Sequence, residues 1–452
     1  MLLYRKNKTE VSLKMKKAIK LFSLLMALIL TMSLFTGCTQ TNQDAGDEEL
    51  ETLTMTIAVP ADLYENEDMQ ELLNTWKEDL EMFEEFELKV ETIPTEEKEI
   101  KKFVRKVKSG KIAMVYAPNG EVADQMIEKG AVLKMRNMES TYTEVLKDVT
   151  DASLKLGMAE DAFNWMKPVV GTYQGLFYNT EIFEEHQIEV PTTWDGLLAA
   201  IGQLNAAGIT PISAGFSDVG FNYMIDELVL SEGGTADHSY QPAFGYVSSW
   251  GRVAEDLKQL EAAGAFTADC YNVTFESALD SFLDGSAAMI VAPSTVFSGE
   301  LDEDVMNVIG FPATPTGIRD KGDFVGDVTY GVYVSLKYYQ KKNTRHADLL
   351  NNMLSNDYFG SPDFYNIVKK EGTFSAYAST YYGGEEENSL EKSVGKFLGK
   401  SADADYPIDR SLATFDNLVE TYRKIMKGAD METELLAAAE VEIQAKAEAE
   451  KE

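Results

Sequence analysis

The sequence predicts an α/β fold in two lobes, each a mainly parallel sheet flanked by helices, with a cleft between the lobes. Three observations predict it. Strand, helix, strand, helix and strand follow one another within about 65 residues from Leu53, an order that argues for a parallel sheet with helices packed on it. The same order returns with different residues between Leu176 and Ala292. About 415 residues remain after a cleavable leader, too many for one ordinary core.

The leader comes first. Arg5, Lys6, Lys8, Lys14, Lys16, Lys17 and Lys20 surround a single acid, Glu10, and residues 21–35 then carry no charge. A basic head and a short apolar segment describe a secretory signal. Leu34-Phe35-Thr36-Gly37-Cys38 reads as the processing site of a bacterial lipoprotein. The small pair Thr36-Gly37 admits a peptidase, and the Cys38 thiol takes the lipid. Two acyl chains on it hold a protein stably, where one chain gives marginal anchoring. Fifteen uncharged residues fall short of the about 20 usual for a membrane span. Residues 1–37 are therefore expected to be a signal peptide, and residues 38–52 a lipidated cysteine with a polar spacer.

Composition fits an exported, folded body. The chain has 452 residues, 44% apolar and 26% charged, with 41 Lys+Arg against 75 Asp+Glu and a formal net charge of −34. Such a field repels phosphate backbones and anionic lipid, so nucleic acid is excluded as a partner and the lipid is the expected membrane contact. With Cys38 lipidated, Cys270 stands alone and forms no internal disulfide; it reads as a small packed residue.

The elements follow in order. Residues 53–59 alternate and are β-rich; Leu72, Leu73, Trp76, Leu80 and Phe83 recur at helical spacing. Residues 86–93 alternate again, Ile100, Phe103, Val104 and Val107 form a helical stripe ended by Gly110, and residues 112–116 are a short apolar strand. In the second unit Leu176-Phe177-Tyr178 is strand-like, residues 194–204 are helical, and residues 208–212 return as strand. Trp250, Val253, Ala254, Leu257 and Leu260 line one helix face; Ala278, Leu279, Phe282 and Leu283 line another, stopped at Gly285 before the buried strand 287–292. Residues 434–452 are Ala- and Glu-rich and helical. Trp76, Trp194 and Trp250 read as core.

Three blocks carry a family resemblance. The first is Gly175-Leu176-Phe177-Tyr178-Asn179-Thr180, Phe183 and Pro191-Thr192-Thr193-Trp194-Asp195-Gly196-Leu197-Leu198, completed by Gly208-Ile209-Thr210-Pro211-Ile212. The second is Phe282-Leu283-Asp284-Gly285-Ser286-Ala287-Ala288-Met289, and the third runs from Gly310-Phe311-Pro312 through Val325-Gly326-Asp327 to Gly331-Val332-Tyr333-Val334. In these the chain resembles the family-1 extracellular solute-binding proteins, the maltose-binding-protein-like receptors of ABC importers. The resemblance implies a periplasmic-binding-protein-like clamp, with residues 53–163 plus 290–341 in lobe 1 and 164–289 plus 342–452 in lobe 2. It implies a monomer on the extracellular face of the cell membrane that binds a small polar ligand, a mono- or oligosaccharide, and delivers it to ABC permease subunits. It implies no enzyme activity and no cofactor.

Sugars present apolar C–H faces and a rim of hydroxyls, so the candidate ligand residues are aromatic or polar and lie near strand ends. Asp62 and Tyr64 follow the first strand; Tyr116 and Asn119 end the third. Trp165 sits at the lobe crossing, and Tyr173 precedes the Phe177 strand. Phe221 and Asn222 are expected in a loop, as are Asp327 and Tyr330. Thr295 stands where sugar-binding members often carry a stacking Trp, with Phe297 two residues on.

A lipid-anchored glycoside hydrolase is the alternative from another class, and a surface sensor or adhesin using the same clamp a third. The three histidines, His186, His238 and His346, have no metal-ligand spacing, and no Gly-x-Ser-x-Gly or Walker-type loop occurs. No metal is expected.

Overall fold

The computed structural model describes residues 52–81, 86–141, 145–147, 149–150, 153–154, 164–233, 249–297, 305–317, 324–341, 344–355, 357–369, 373–376, 408–410 and 416–449. The expected signal peptide, Cys38 and the spacer up to residue 51 lie outside the described residues. No helix among the described residues is long and apolar enough to cross a membrane.

The first unit runs β1 (Leu53–Pro60), α1 (Ala61–Tyr64), α2 (Glu67–Glu81), β2 (Phe86–Ile93), α3 (Glu97–Lys108), β3 (Met114–Pro118) and α4 (Glu121–Glu128). Helix α3 shows why these residues fold so. Glu97 and Glu99 sit in its first turn and Arg105, Lys106 and Lys108 in its last, matching the helix dipole, while Ile100, Phe103, Val104 and Val107 are buried. Strands β2 and β3 both pair with β1 in parallel.

The second unit runs β4 (Met166–Asn179), α5 (Thr180–Glu185), α6 (Trp194–Ala207), β5 (Thr210–Ser213), α7 (Val219–Gly233), α8 (Ser249–Ala262), α9 (Phe275–Leu283), β6 (Ala287–Pro293) and β7 (Met306–Ile309). Thr193 caps α6 by accepting from the Gly196 N–H at 3.1 Å. Gly285, at φ 78°, follows α9 in the left-handed region the sequence anticipates. Then come β8 (Phe324–Val334), α10 (Leu336–Tyr339), α11 (Thr344–Met353), α12 (Pro362–Val368), β9 (Thr373–Ser375), β10 (Ile408–Arg410), α13 (Asp416–Met426) and α14 (Met431–Ala449).

The strands pair along one path, β2-β1-β3-β8-β4-β6-β5, with β10 on β8 and β7 and β9 on β4. Parallel ladders lie toward its ends, β2-β1-β3 and β6-β5. The long antiparallel pair β4–β8 joins them. One apolar core contains Met55, Ile57, Trp76, Tyr116, Val332 and Val334. A second contains Leu176, Leu197, Leu228, Trp250, Leu257 and Val325. The third, with Phe103, Tyr173, Phe177, Val328 and Tyr333, draws on both units.

Three expectations change. Strand β4 begins at Met166, so Tyr173 lies within it; Lys167-Pro168 and Gly171 break the apolar alternation that would reveal the strand. Pro168 is accommodated where the β4–β8 register shifts, and the buried Lys167 Nζ donates to the Leu354 carbonyl. Asp327 and Tyr330 belong to strand β8 rather than a loop, because both edges of that segment find partners despite Gly326 and Gly331. Phe221 and Asn222 open helix α7 rather than occupying a loop. The later segments are shared between the cores. Strands β6 and β7 pair with β4 in the second unit, whereas Leu349, Leu350, Met353, Phe364 and Val368 of α11 and α12 pack into the first core. Among the described residues of the C-terminal segment, the α13–α14 part packs into the second, through Leu418, Tyr422 and Leu435. An amphipathic stripe carries no mark of which sheet will cover it.

Candidate functional site

The β4–β8 ladder has two faces with different cover, and the difference locates the site. Directly opposed residues on antiparallel strands share a face, and alternate residues along a strand do too, except across the register shifts between Pro168 and Gly171, where the alternation reverses. On one face Met166, Tyr173, Phe177, Phe324, Val328 and Tyr333 all enter the third core, without a break. On the other face Val170, Val332 and Val334 enter the first core, while Leu176, Tyr178 and Val325 enter the second. Thr172 and Asp327, paired with each other, stand between them. Thr172 is the only residue of β4 before Asn179 that is not buried, and in β8 the partly exposed residues are Asp327, Thr329 and Tyr330. The gap between the two cores is therefore floored by polar side chains. Thr373 of β9 pairs with Thr172 from the other side, extending the row to two hydroxyls and a carboxylate.

An aromatic wall borders the row on the first-unit side. Tyr116 and Tyr330 stack with ring centroids 5.5 Å apart at 26°. Phe364 meets the Tyr116 ring edge-on at 5.0 Å. Burial first, then the charges of Tyr330, Asp62 and Tyr365, push the Tyr116 phenol well above its ordinary value. Burial and then Asp62 raise that of Tyr330. Asp62, in α1 directly after β1, is exposed, so a solvent-facing carboxylate adjoins two phenols. Tyr64 is half-buried against the same core, and the Asn119 N–H donates to the Thr329 carbonyl at 2.8 Å.

On the second-unit side, Gln174 Nε2 donates to the Tyr223 carbonyl at 2.9 Å and to Glu227 Oε1 at 3.2 Å. That fixes the start of α7, with Asn222 half-buried in its first turn, over β4. Thr295 is exposed in the 3₁₀ turn Ser294–Phe297 that follows β6. From Tyr330 to Val325 the ladder spans about 17 Å, five residues of extended chain. The arrangement offers one half-buried aromatic ring, Tyr330, beside a row of hydrogen-bonding groups.

A model of the family "bacterial extracellular solute-binding protein" matches residues 65–358. The chain belongs to that family. Solved structures agree on the fold. The bacterial solute receptor AcbH, described as having an exclusive preference for β-D-galactopyranose, is 15% identical, with TM-score 0.64 over 88% of this chain and 98% of that one. A family 1 extracellular solute-binding protein from Bifidobacterium longum subsp. infantis is 15% identical, with TM-score 0.61 over 87% and 100%. The apo form of RafE from Streptococcus pneumoniae is 17% identical, with TM-score 0.60 over 89% and 100%. Curated protein sequences yield no match. The family and these neighbours are binding proteins rather than enzymes.

Within this solute-binding fold the candidate residues divide. Asp62, Tyr64, Asn119, Asp327 and Tyr330 gather around the aromatic wall and the row; Tyr116, 2% exposed and part of the first core, backs the Tyr330 ring and offers no open face. Asn222 and Thr295 belong to the opposing unit. Three others go elsewhere. Tyr173 is 5% exposed and faces the third core, where its ring stacks on Phe177 at 6.3 Å. Phe221 is fully buried, 4.9 Å from Phe216 and beneath the Arg423 guanidinium at 5.4 Å. Trp165 packs on the third core, with Lys134 Nζ 4.9 Å from its ring. Phe297 is buried against Phe177 at 4.3 Å and supplies no stacking face. Trp76, Trp194 and Trp250 are core, as expected. The residues that sequence reasoning passed over are Thr172, Gln174, Thr373 and Tyr365. For the first two a signal existed: they continue backward the alternation of Leu176 and Tyr178. Among the described residues no group of three or more His, Cys, Asp or Glu is arranged to hold a metal.

Proposed function

We propose that this protein is an extracellular receptor that binds a carbohydrate between its two lobes and delivers it to the permease of an ABC importer. Lipid on Cys38 holds it at the outer face of the cell membrane. One observation carries this reading: the stacked Tyr116–Tyr330 pair borders the polar row Thr373, Thr172 and Asp327 in the gap between two cores. A sugar ring lays its C–H face on an aromatic ring and offers hydroxyls to carboxylate, amide and hydroxyl partners. Neither wall alone makes both sets of contacts, so ligand favours the closed arrangement by its differential affinity. The permease then reads the closed shape. Relatives of this fold described as sugar receptors, AcbH for galactopyranose and RafE in complex with raffinose, support the choice of ligand class.

The test is a thermal-shift screen of the mature chain against galactose, raffinose, xylo-oligosaccharides and chitin oligosaccharides, followed by calorimetry. The expected affinity is roughly micromolar, about −8 kcal/mol. Ligand at a hundred times its Kd then adds about 2.7 kcal/mol to stability. Peptides or polyamines that raise the melting temperature where no sugar does would overturn the ligand class. Hydrolysed oligosaccharide after incubation would favour a hydrolase.

A further inference from the structure

A cavity apart from the gap between the cores carries a second inference. It has a volume of about 510 Å³ and lies between helix α8 and the Pro315-Thr316 turn. Ligand pockets of this kind usually measure about 300–1,000 Å³. Arg252, Glu255, Asp256, Lys258 and Gln259 of α8 line it. Its far wall is held rigidly. Glu232, buried at the end of α7, accepts from Arg252 Nε, from Thr314 Oγ1 and, at 2.9 Å, from Thr316 Oγ1. Ser231 Oγ also accepts from the Thr314 N–H at 2.9 Å.

Against this satisfied wall Asp256 stands out. It is 7% exposed, it lines the cavity, and its buried Oδ2 has no hydrogen-bond partner. Buried polar atoms nearly always find partners, so this one marks where a donor is missing. Opposite charge is at hand. Arg252 lies one helical turn before Asp256, its Nε already engaged by Glu232, and Lys258 lies at the exposed rim. The Gln259 side-chain oxygen is likewise engaged, accepting from Trp194 Nε1 at 2.7 Å, and its amide nitrogen carries two N–H donors. The lining thus joins one acceptor lacking a donor to several donors on neighbouring turns of one helix.

We propose that this cavity is a binding site for a small zwitterion of amino-acid size. Its ammonium donates to Asp256, and its carboxylate is met by Arg252, Lys258 and Gln259. Charge-assisted hydrogen bonds of both signs within about two turns of helix select a molecule that carries both charges close together. The site is independent of the carbohydrate reading, because none of its residues belongs to the β4–β8 strip.

The experiment is calorimetry or ligand-observed NMR at pH 8, where Asp256 is ionised, on the mature chain with L-alanine and L-glutamine, beside acetate and ethylammonium as the separate halves. Saturable binding at about 1 mM or tighter is expected for an amino acid, with each half at least about tenfold weaker. Asp256→Asn, which keeps the side-chain volume, should weaken binding at least about tenfold, and Lys258→Gln, at an exposed position, about threefold. Tyr330→Ala should leave it unchanged, so failure of sugar binding does not touch this site. No saturation by either amino acid, equal binding of acetate or ethylammonium, or full retention in Asp256→Asn overturns the proposal.

Discussion

Replacing Asp256 by Asn should stabilise the protein at pH 8 much more than at pH 5. Burial first, then the charges of Glu232 and Glu255, push this carboxyl up from 3.8 to about 7, against the pull of Arg252. Below about pH 4 the folded and unfolded chains both hold the proton, and the group contributes no pH-dependent difference. As pH rises from about 4 to about 7 the unfolded chain ionises while the folded one keeps its proton, so stability falls. Above about pH 7 the loss is complete: about three pKa units at 1.36 kcal/mol each, or about 4 kcal/mol. The asparagine avoids this loss, although a buried amide lacking a partner costs about 1 kcal/mol, so the net gain at pH 8 is about 3 kcal/mol. For about 400 residues the unfolding entropy is about 0.8 kcal/mol per degree, which makes the gain about 4 °C in Tm. Urea unfolding and calorimetry at pH 5, 6.5 and 8 measure it. A difference between variant and parent that is the same at all three values refutes the reasoning.

Tyr330→Ala, at a half-buried ring, should weaken sugar binding about tenfold with little change in Tm, read by calorimetry and thermal melting together. Phe221→Ala should do the reverse, lowering stability by about 3–5 kcal/mol in urea unfolding because the ring is fully buried, while sugar affinity is kept. Gly175→Ala should destabilise strongly, since a Cβ there would meet the Ile309 carbonyl oxygen at 2.7 Å; circular dichroism melts of the purified variant check it. Cys38→Ser should release the protein from cells into the medium, detectable by fractionation; retention with the membrane would count against the lipid anchor.

Fold class was legible because it rests on repeated local patterns. The stripe Ile100, Phe103, Val104 and Val107 predicts a buried helix face, and α3 buries those four residues. The caps at Thr193 and the positive φ of Gly285 are equally local. What the sequence concealed is set by partners distant along the chain. Lys167 is charged yet 1% exposed, because a carbonyl 187 residues away accepts its hydrogen bond. Asp327 and Tyr330 read as loop residues, but Thr172 pairs with the first, and Val170 and Pro118 pair with the second from either side, which makes the segment a strand. The candidate site divides in the same way. Asp62 and Tyr116 follow from strand ends, which are local. The exclusion of Phe221 and Tyr173 follows from which core each ring enters, and an aromatic residue reads alike in a core and in a cleft.

The asymmetry of the β4–β8 ladder bears directly on how the proposed receptor would close. Its rear face is covered without interruption by one core to which both units contribute, including Phe103 and Ile100 from the first and Phe275 and Phe282 from the second. Bending toward that face would compress close-packed side chains that have no room to yield. The front face is interrupted at Thr172 and Asp327, so bending toward it compresses no packed core there. The register shifts at Pro168 and Val170 lie at the same level and loosen the ladder where bending is needed. Filling the gap tests the direction of closure: Thr172→Trp should hold the lobes apart, reducing sugar affinity and leaving the small-angle scattering radius unchanged on sugar addition. A variant that still contracts with sugar as the parent does would place the closing motion elsewhere.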